Sequence, residues 1–173
     1  MNTLIIYGSK HGTTRKCASM LAEKLTGKTD LHDLKLGAAP DLTKYDKVVI
    51  GGSIYAGRIQ KEITVFCAQN LNILKGKKLG LFICCMFPNH AEAQLNSAFP
   101  RELLSSAIAK ESFGGEMRYS DMNFAEKAIT KMVSKVVAKN NPTFSAMEMK
   151  KDLSMISVEN IDKFAQLLNN IVS

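Results

Sequence analysis

Long hydrophobic runs are missing from this sequence. The longest strongly apolar stretch, Leu79 to Phe87, is nine residues, whereas a membrane span needs about 20, so no transmembrane helix is predicted. The opening Met1-Asn2-Thr3 carries no basic segment, and the apolar run behind it stops at Tyr7. That pattern argues against a secretory signal. Cysteine is scarce: Cys17, Cys67 and the adjacent Cys84 and Cys85 form no C-x-x-C pair, and they read as reduced thiols of a cytoplasmic protein. Acidic side chains are in deficit, because 23 Lys and Arg stand against 16 Asp and Glu for a net charge of +7. The excess favours an anionic partner, whether lipid headgroup, nucleic acid or small ligand. Nucleic acid is the weakest of these, since no aromatics interleave with the lysines and no reader motif occurs.

What is present suits one folded domain. The 173 residues are 46% hydrophobic and 23% charged, ordinary for a globular chain, and at roughly 150 residues per domain they imply one unit, 1–173. Thr3 to Tyr7, Lys47 to Ile50 and Leu79 to Met86 are short apolar runs without polar alternation, the first two ending at Gly8 and Gly51. Continuous apolarity marks strands buried on both faces, hence a parallel sheet covered by helices. Shorter strands are expected near Thr29 to Leu34 and Lys110 to Gly114. Helical spacing of apolar residues appears over Thr14 to Leu25, Ile63 to Leu71, Ala91 to Ala107 (interrupted by Pro100) and Ile161 to Val172. Strand–helix alternation predicts right-handed βαβ units. The expected fold is α/β: a flavodoxin-like doubly wound parallel sheet of five strands, order 2-1-3-4-5, with helices on both faces.

One segment, about 116–160, exceeds that minimal unit. In it Ala125, Ala128, Ile129, Met132, Val133, Val136 and Val137 form a helical apolar stripe, and Lys127, Lys131, Lys135 and Lys139 recur every four residues along the other side. Such a helix either packs its stripe on the core and solvates its lysines, or lies against an anionic membrane surface.

The chemistry concentrates in the turns after the strands. Gly8-Ser9-Lys10-His11-Gly12-Thr13-Thr14 links the first strand to the first helix. A helix N-terminus offers free N–H groups and a positive dipole end to a phosphate, hydroxyls of Ser9, Thr13 and Thr14 add donors, and Gly12 admits close backbone approach. The loop matches neither G-x-G-x-x-G nor the Walker pattern; the plain alternative is that Ser9 or Thr13 only caps the helix. Two further loops, Gly51 to Arg58 with Ser53, Ile54, Tyr55, Ala56 and Gly57, and Cys85 to His90 with Met86, Phe87, Pro88 and Asn89, should lie at the same carboxyl edge of the sheet. Each offers an aromatic ring and backbone amides. No residue declares itself as a catalytic acid or base, and none as a metal ligand.

The S-x-x-G-x-T loop resembles the phosphate loop of flavodoxins, which bind flavin mononucleotide (FMN); Lys10 and His11 are departures from its usual uncharged form. The stretch V-V-I-G-G-S-I-Y-A-G at 48–57 is similar to that of the menaquinone-dependent protoporphyrinogen IX dehydrogenase family, which carries an extra segment before the last helix. The resemblance implies FMN as cofactor, held by the three loops, and electron transfer through it from an organic substrate to a quinone. It implies a cytoplasmic protein peripherally associated with the inner membrane face, here through Lys127, Lys131, Lys135 and Lys139. The alternative is a flavodoxin-type carrier serving a redox protein partner. Familiar flavodoxins are acidic, and a net +7 does not suit that role.

Overall fold

The structure, a computed structural model, describes residues 1–117, 119–140 (side chains through 132) and 152–170. Five parallel strands, β1 (Asn2–Gly8), β2 (Lys28–Asp33), β3 (Lys47–Ser53), β4 (Lys78–Cys84) and β5 (Ala109–Ser112), form a sheet of order β2-β1-β3-β4-β5. The expected topology is the observed one. β1, β3 and β4 are buried almost throughout, which is why their sequences show no alternation.

Helices α1 (Thr13–Lys24) and α7 (Val158–Asn169) cover one face. Helices α2 (Lys61–Gln69), α3 (Leu71–Lys75), α4 (Ala91–Ala98) and α5 (Arg101–Ser106) cover the other. Pro100 separates α4 from α5, as its missing N–H and fixed φ require. On the α1/α7 face, Phe82 stacks on Phe113 with ring centres 4.5 Å apart and Phe164 meets Phe113 edge-on at 5.1 Å. The Phe82 ring lies over its neighbour in register, Gly51; a Cβ there would stand 2.0 Å from the ring, so the first glycine after the β3 apolar run is a packing requirement.

Between β5 and α7 the chain makes a two-stranded antiparallel ribbon, β6 (Glu116–Met117) with β7 (Leu153–Ser154), and helix α6 (Phe124–Asn140). Asn123 and Glu126 build a reciprocal cap at the start of α6: Asn123 N–H donates to Glu126 Oε2 (3.0 Å), and Glu126 N–H to Asn123 Oδ1 (2.9 Å). The orientation of α6 corrects the core-packing expectation. Phe124 (90%), Met132 (68%) and Ile129 (39%) are exposed, whereas Glu126 is buried. Val133, Val136, Val137, Lys135 and Lys139 lie beyond the described side chains. No described helix is long and apolar enough to cross a membrane.

Candidate functional site

A cavity of about 350 Å³ opens at the carboxyl edge of β1, β3 and β4. Sheet geometry places it there: parallel strands all release their chains at one edge, and the loops after them must converge. A larger groove of about 920 Å³ between residues 34–42 and helices α2–α3 is more open and receives none of these loops.

The first wall is the loop after β1. Gly12, at φ +89°, is the N-cap of α1, and no side chain caps this helix. Ser9 Oγ instead accepts from Gly12 N–H at 3.0 Å, closing the loop on itself, and Lys35 Nζ donates to Ser9 O. The capping alternative for Ser9 or Thr13 is therefore not what the structure contains. The α1 N-terminus stays open to an anion. Thr14 Oγ1 is buried without a hydrogen-bond partner; the neighbouring Cys84 thiol is a weak acceptor at best. A buried hydroxyl left without a partner costs about 1–3 kcal/mol, and a phosphate oxygen in this loop would relieve it. The residues present fit a bound phosphate.

The second wall is the loop after β3. Ile54 N–H bonds Cys84 O at 2.9 Å, and Tyr55 and Arg58 exchange N–H···O bonds of 2.9 and 3.1 Å. The two residues between them, Ala56 (φ 49°) and Gly57 (φ 77°), are both left-handed, as a type I′ turn demands. Ala56 is the one described non-glycine residue with positive φ. Gln60 braces the loop from the start of α2: Ser53 N–H donates to Gln60 Oε1 at 2.9 Å, and Gln60 Nε2 donates to Ser53 Oγ.

The third wall runs from Cys84 to His90, where the Cys85 thiol meets Phe87 O at 3.7 Å. Burial raises the Cys85 thiol, and the hydrogen bond with Cys17, followed by burial, holds Cys84 well above the ordinary thiol range. Cys67 is pushed up to about 12 by burial. These are inert, neutral thiols, and all four cysteines are free.

Of the residues read from the sequence, Ser9, Lys10, His11, Thr13, Ser53, Ile54, Tyr55, Ala56, Gly57, Cys85, Met86 and Phe87 line this cavity together. Gly12, Thr14, Pro88 and Asn89 do not line it: Thr14 is fully buried beneath the loop, and Pro88 and Asn89 turn outward on a single 3-10 turn. Sequence reasoning missed Gln94 of α4, whose Oε1 is buried without a partner, and the wall made by Glu116, Met117, Met122, Thr130 and Leu153. It also missed Glu126, which reaches Lys10 Nζ at 2.7 Å and His11 Nε2 at 3.3 Å. The Asn123-x-x-Glu126 pattern signals a helix start but not what the glutamate faces. Among the described residues no His, Cys, Asp and Glu cluster could hold a metal.

The fold and the three converging loops define a flavodoxin-like flavoprotein. Residues 4–144 match the Flavodoxin domain family, and the chain belongs to that family, whose cofactor is FMN. It is similar to the protoporphyrinogen IX dehydrogenase [quinone] of Escherichia coli strain K12, 26% identical over 145 residues covering 79% of this chain and 80% of that protein. The fold is shared with a flavodoxin of Streptococcus pneumonia TIGR4 (TM-score 0.53, 17% identity, 97% of this chain and 95% of that one). It is shared too with a flavoprotein of Lactobacillus acidophilus NCFM in complex with FMN (TM-score 0.52, 18% identity, 64% and 92%).

Proposed function

We propose that this protein is an FMN-dependent oxidoreductase of the protoporphyrinogen IX dehydrogenase type, taking two electrons from an organic substrate and passing them to a quinone. The observation that carries the reading is the wall over the cavity. Met117, Met122, Thr130 and Leu153, all from the segment between β5 and α7, line the cavity and join Met86 and Phe87 in a largely apolar surface. Thioethers and aliphatic groups of this kind suit a flat apolar molecule. A carrier that meets only protein partners needs no such wall.

When bound, the flavin supplies the redox chemistry; the chain binds and orients it. The α1 N-terminus with Ser9 and Thr13 would hold the phosphate, with the unpartnered Thr14 hydroxyl beneath the loop as a further donor. Tyr55 and Phe87 would pack on the ring, and the unpartnered Gln94 Oε1 would offer it an acceptor. The thiols of Cys84 and Cys85 remain protonated beside it and take no nucleophilic part. The exposed apolar side of α6, Phe124, Ile129 and Met132, with Lys127 and Lys131 on the same helix, supports peripheral docking on an anionic cytoplasmic membrane surface, where a quinone is available.

The test is anaerobic mixing of the FMN-loaded protein with protoporphyrinogen IX, followed by a quinone. Bleaching of the visible flavin absorption and its return on quinone addition is the expected result. Absorption that dithionite bleaches but protoporphyrinogen leaves unchanged would refute the substrate and favour a flavodoxin-type carrier.

A further inference from the structure

The phosphate loop and α6 meet at one ion pair whose two charges are not placed alike. Lys10 lines the cavity with His11 and Tyr55, its Nζ 3.8 Å from the centre of the Tyr55 ring. Glu126 does not line the cavity. Its side chain stands behind the lysine, 6% exposed, with one oxygen tied to Asn123 N–H and the other 2.7 Å from Lys10 Nζ. The hydrogen bond from Lys10, then that from the Asn123 backbone, hold the Glu126 carboxyl below the ordinary carboxylate range, and the same bond raises Lys10. Both groups are charged at neutral pH. A cation thus faces the cavity and its counter-charge sits on the far side. The lysine side chain is 41% exposed, so solvent screens part of its field, but a fixed cation at the cavity wall still acts on any group whose own charge changes beside it.

We propose that the Lys10–Glu126 pair sets the reduction potential of the flavin: Lys10 favours the reduced, negatively charged ring, and Glu126 moderates that preference from the inserted helix. The proposal rests on FMN occupying the cavity as inferred above. The oxidised ring system is neutral; two electrons from the organic donor and one proton leave it with a single negative charge. A cation at the cavity wall stabilises that product relative to the starting state. The consequence is a flavin that accepts electron pairs at a higher potential than in an acidic carrier, which suits a dehydrogenase of organic substrates. Glu126 is then the link by which α6, an element outside the minimal fold, adjusts the cofactor.

Reductive titration against a reference dye, on FMN-loaded wild type, Lys10→Gln, Lys10→Arg, Glu126→Gln and the double glutamine variant, tests this, with FMN affinity measured in parallel. Glu126→Gln keeps an acceptor for Lys10 and a residue competent in the cap, so it removes chiefly a charge. Lys10→Gln should weaken the hold on reduced flavin, relative to oxidised, about tenfold, a fall of about 30 mV for a two-electron couple. Lys10→Arg should keep the potential, Glu126→Gln should raise it, and the double variant should fall between the singles. A merely structural role would move both single variants the same way. Shifts of one sign, or no shift, with FMN binding intact would overturn the proposal alone. Absence of FMN binding in wild type would overturn the cofactor reading and the proposal with it.

Discussion

Replacing Thr14 with valine separates the cost of an empty phosphate loop from the benefit of a filled one. Valine matches threonine in shape and removes only the hydroxyl, whose oxygen is buried without a hydrogen-bond partner and fully shielded from solvent. In the apoprotein that hydroxyl is a liability of about 1–3 kcal/mol, so Thr14→Val should raise the apoprotein's stability. At about 2–4 °C of melting temperature per kcal/mol for a chain of this size, the gain is readable by thermal denaturation. Under the proposed phosphate assignment, the same hydroxyl would donate to a phosphate oxygen once FMN is bound. A hydrogen bond to a charged group contributes about 1.5–3 kcal/mol, so FMN affinity should fall roughly ten- to a hundredfold. Riboflavin has the same ring and no phosphate, and its affinity should not change. Fluorescence titration of apo wild type and variant with both ligands provides the comparison. An unchanged FMN affinity, or equal losses for FMN and riboflavin, would refute the assignment of the phosphate to this loop.

Three further outcomes are expected. Tyr55→Ala should weaken FMN and riboflavin equally, by about 0.5–1.5 kcal/mol of lost ring packing; unchanged affinity for both would remove Tyr55 from the ring site. The protein should sediment with anionic vesicles at low salt and be released at high salt, and Phe124→Ser should weaken that binding at least several-fold. Its ring is 90% exposed, and burying such a side chain is worth about 1.5–3 kcal/mol; equal sedimentation with neutral vesicles, or no effect of the serine, would dismiss the docking face. Because Glu126 has its carboxyl lowered in the folded protein, its contribution is complete above the ordinary carboxylate range and fades as pH falls through the lowered value. Glu126→Gln should therefore be less stable than wild type at neutral pH and equal to it well below about pH 4. A stability difference independent of pH would show that the ion pair is not its source.

The apolar runs ending at Gly8 and Gly51, with no polar alternation, were enough to establish strands buried on both faces and hence a helix-covered parallel sheet. That Ser9 to His11, Thr13, Ser53 to Gly57 and Cys85 to Phe87 line one cavity was legible for the same reason, since in such a sheet the turns after the strands share one edge; that Gly12, Thr14, Pro88 and Asn89 do not line it was not. Periodicity could also place a helix within 124–140. It could not say which side faces inward, because a stripe records amphipathicity and not the identity of the neighbour. Here the neighbour is the charged loop of Lys10 and His11, so the Glu126 side turns in and Phe124, Ile129 and Met132 turn out. Gln60 and Gln94 were silent for a related reason: an isolated glutamine has no local signature, and only the packing of α2 and α4 against the strand ends brings these two to the loops. The sequence by itself determined the sheet, its topology and the loops that converge on the cavity. Tertiary structure alone decided what closes over them and which charges face the cavity, because those contacts join residues far apart in the chain, as Lys10 joins Glu126, and no local pattern encodes them.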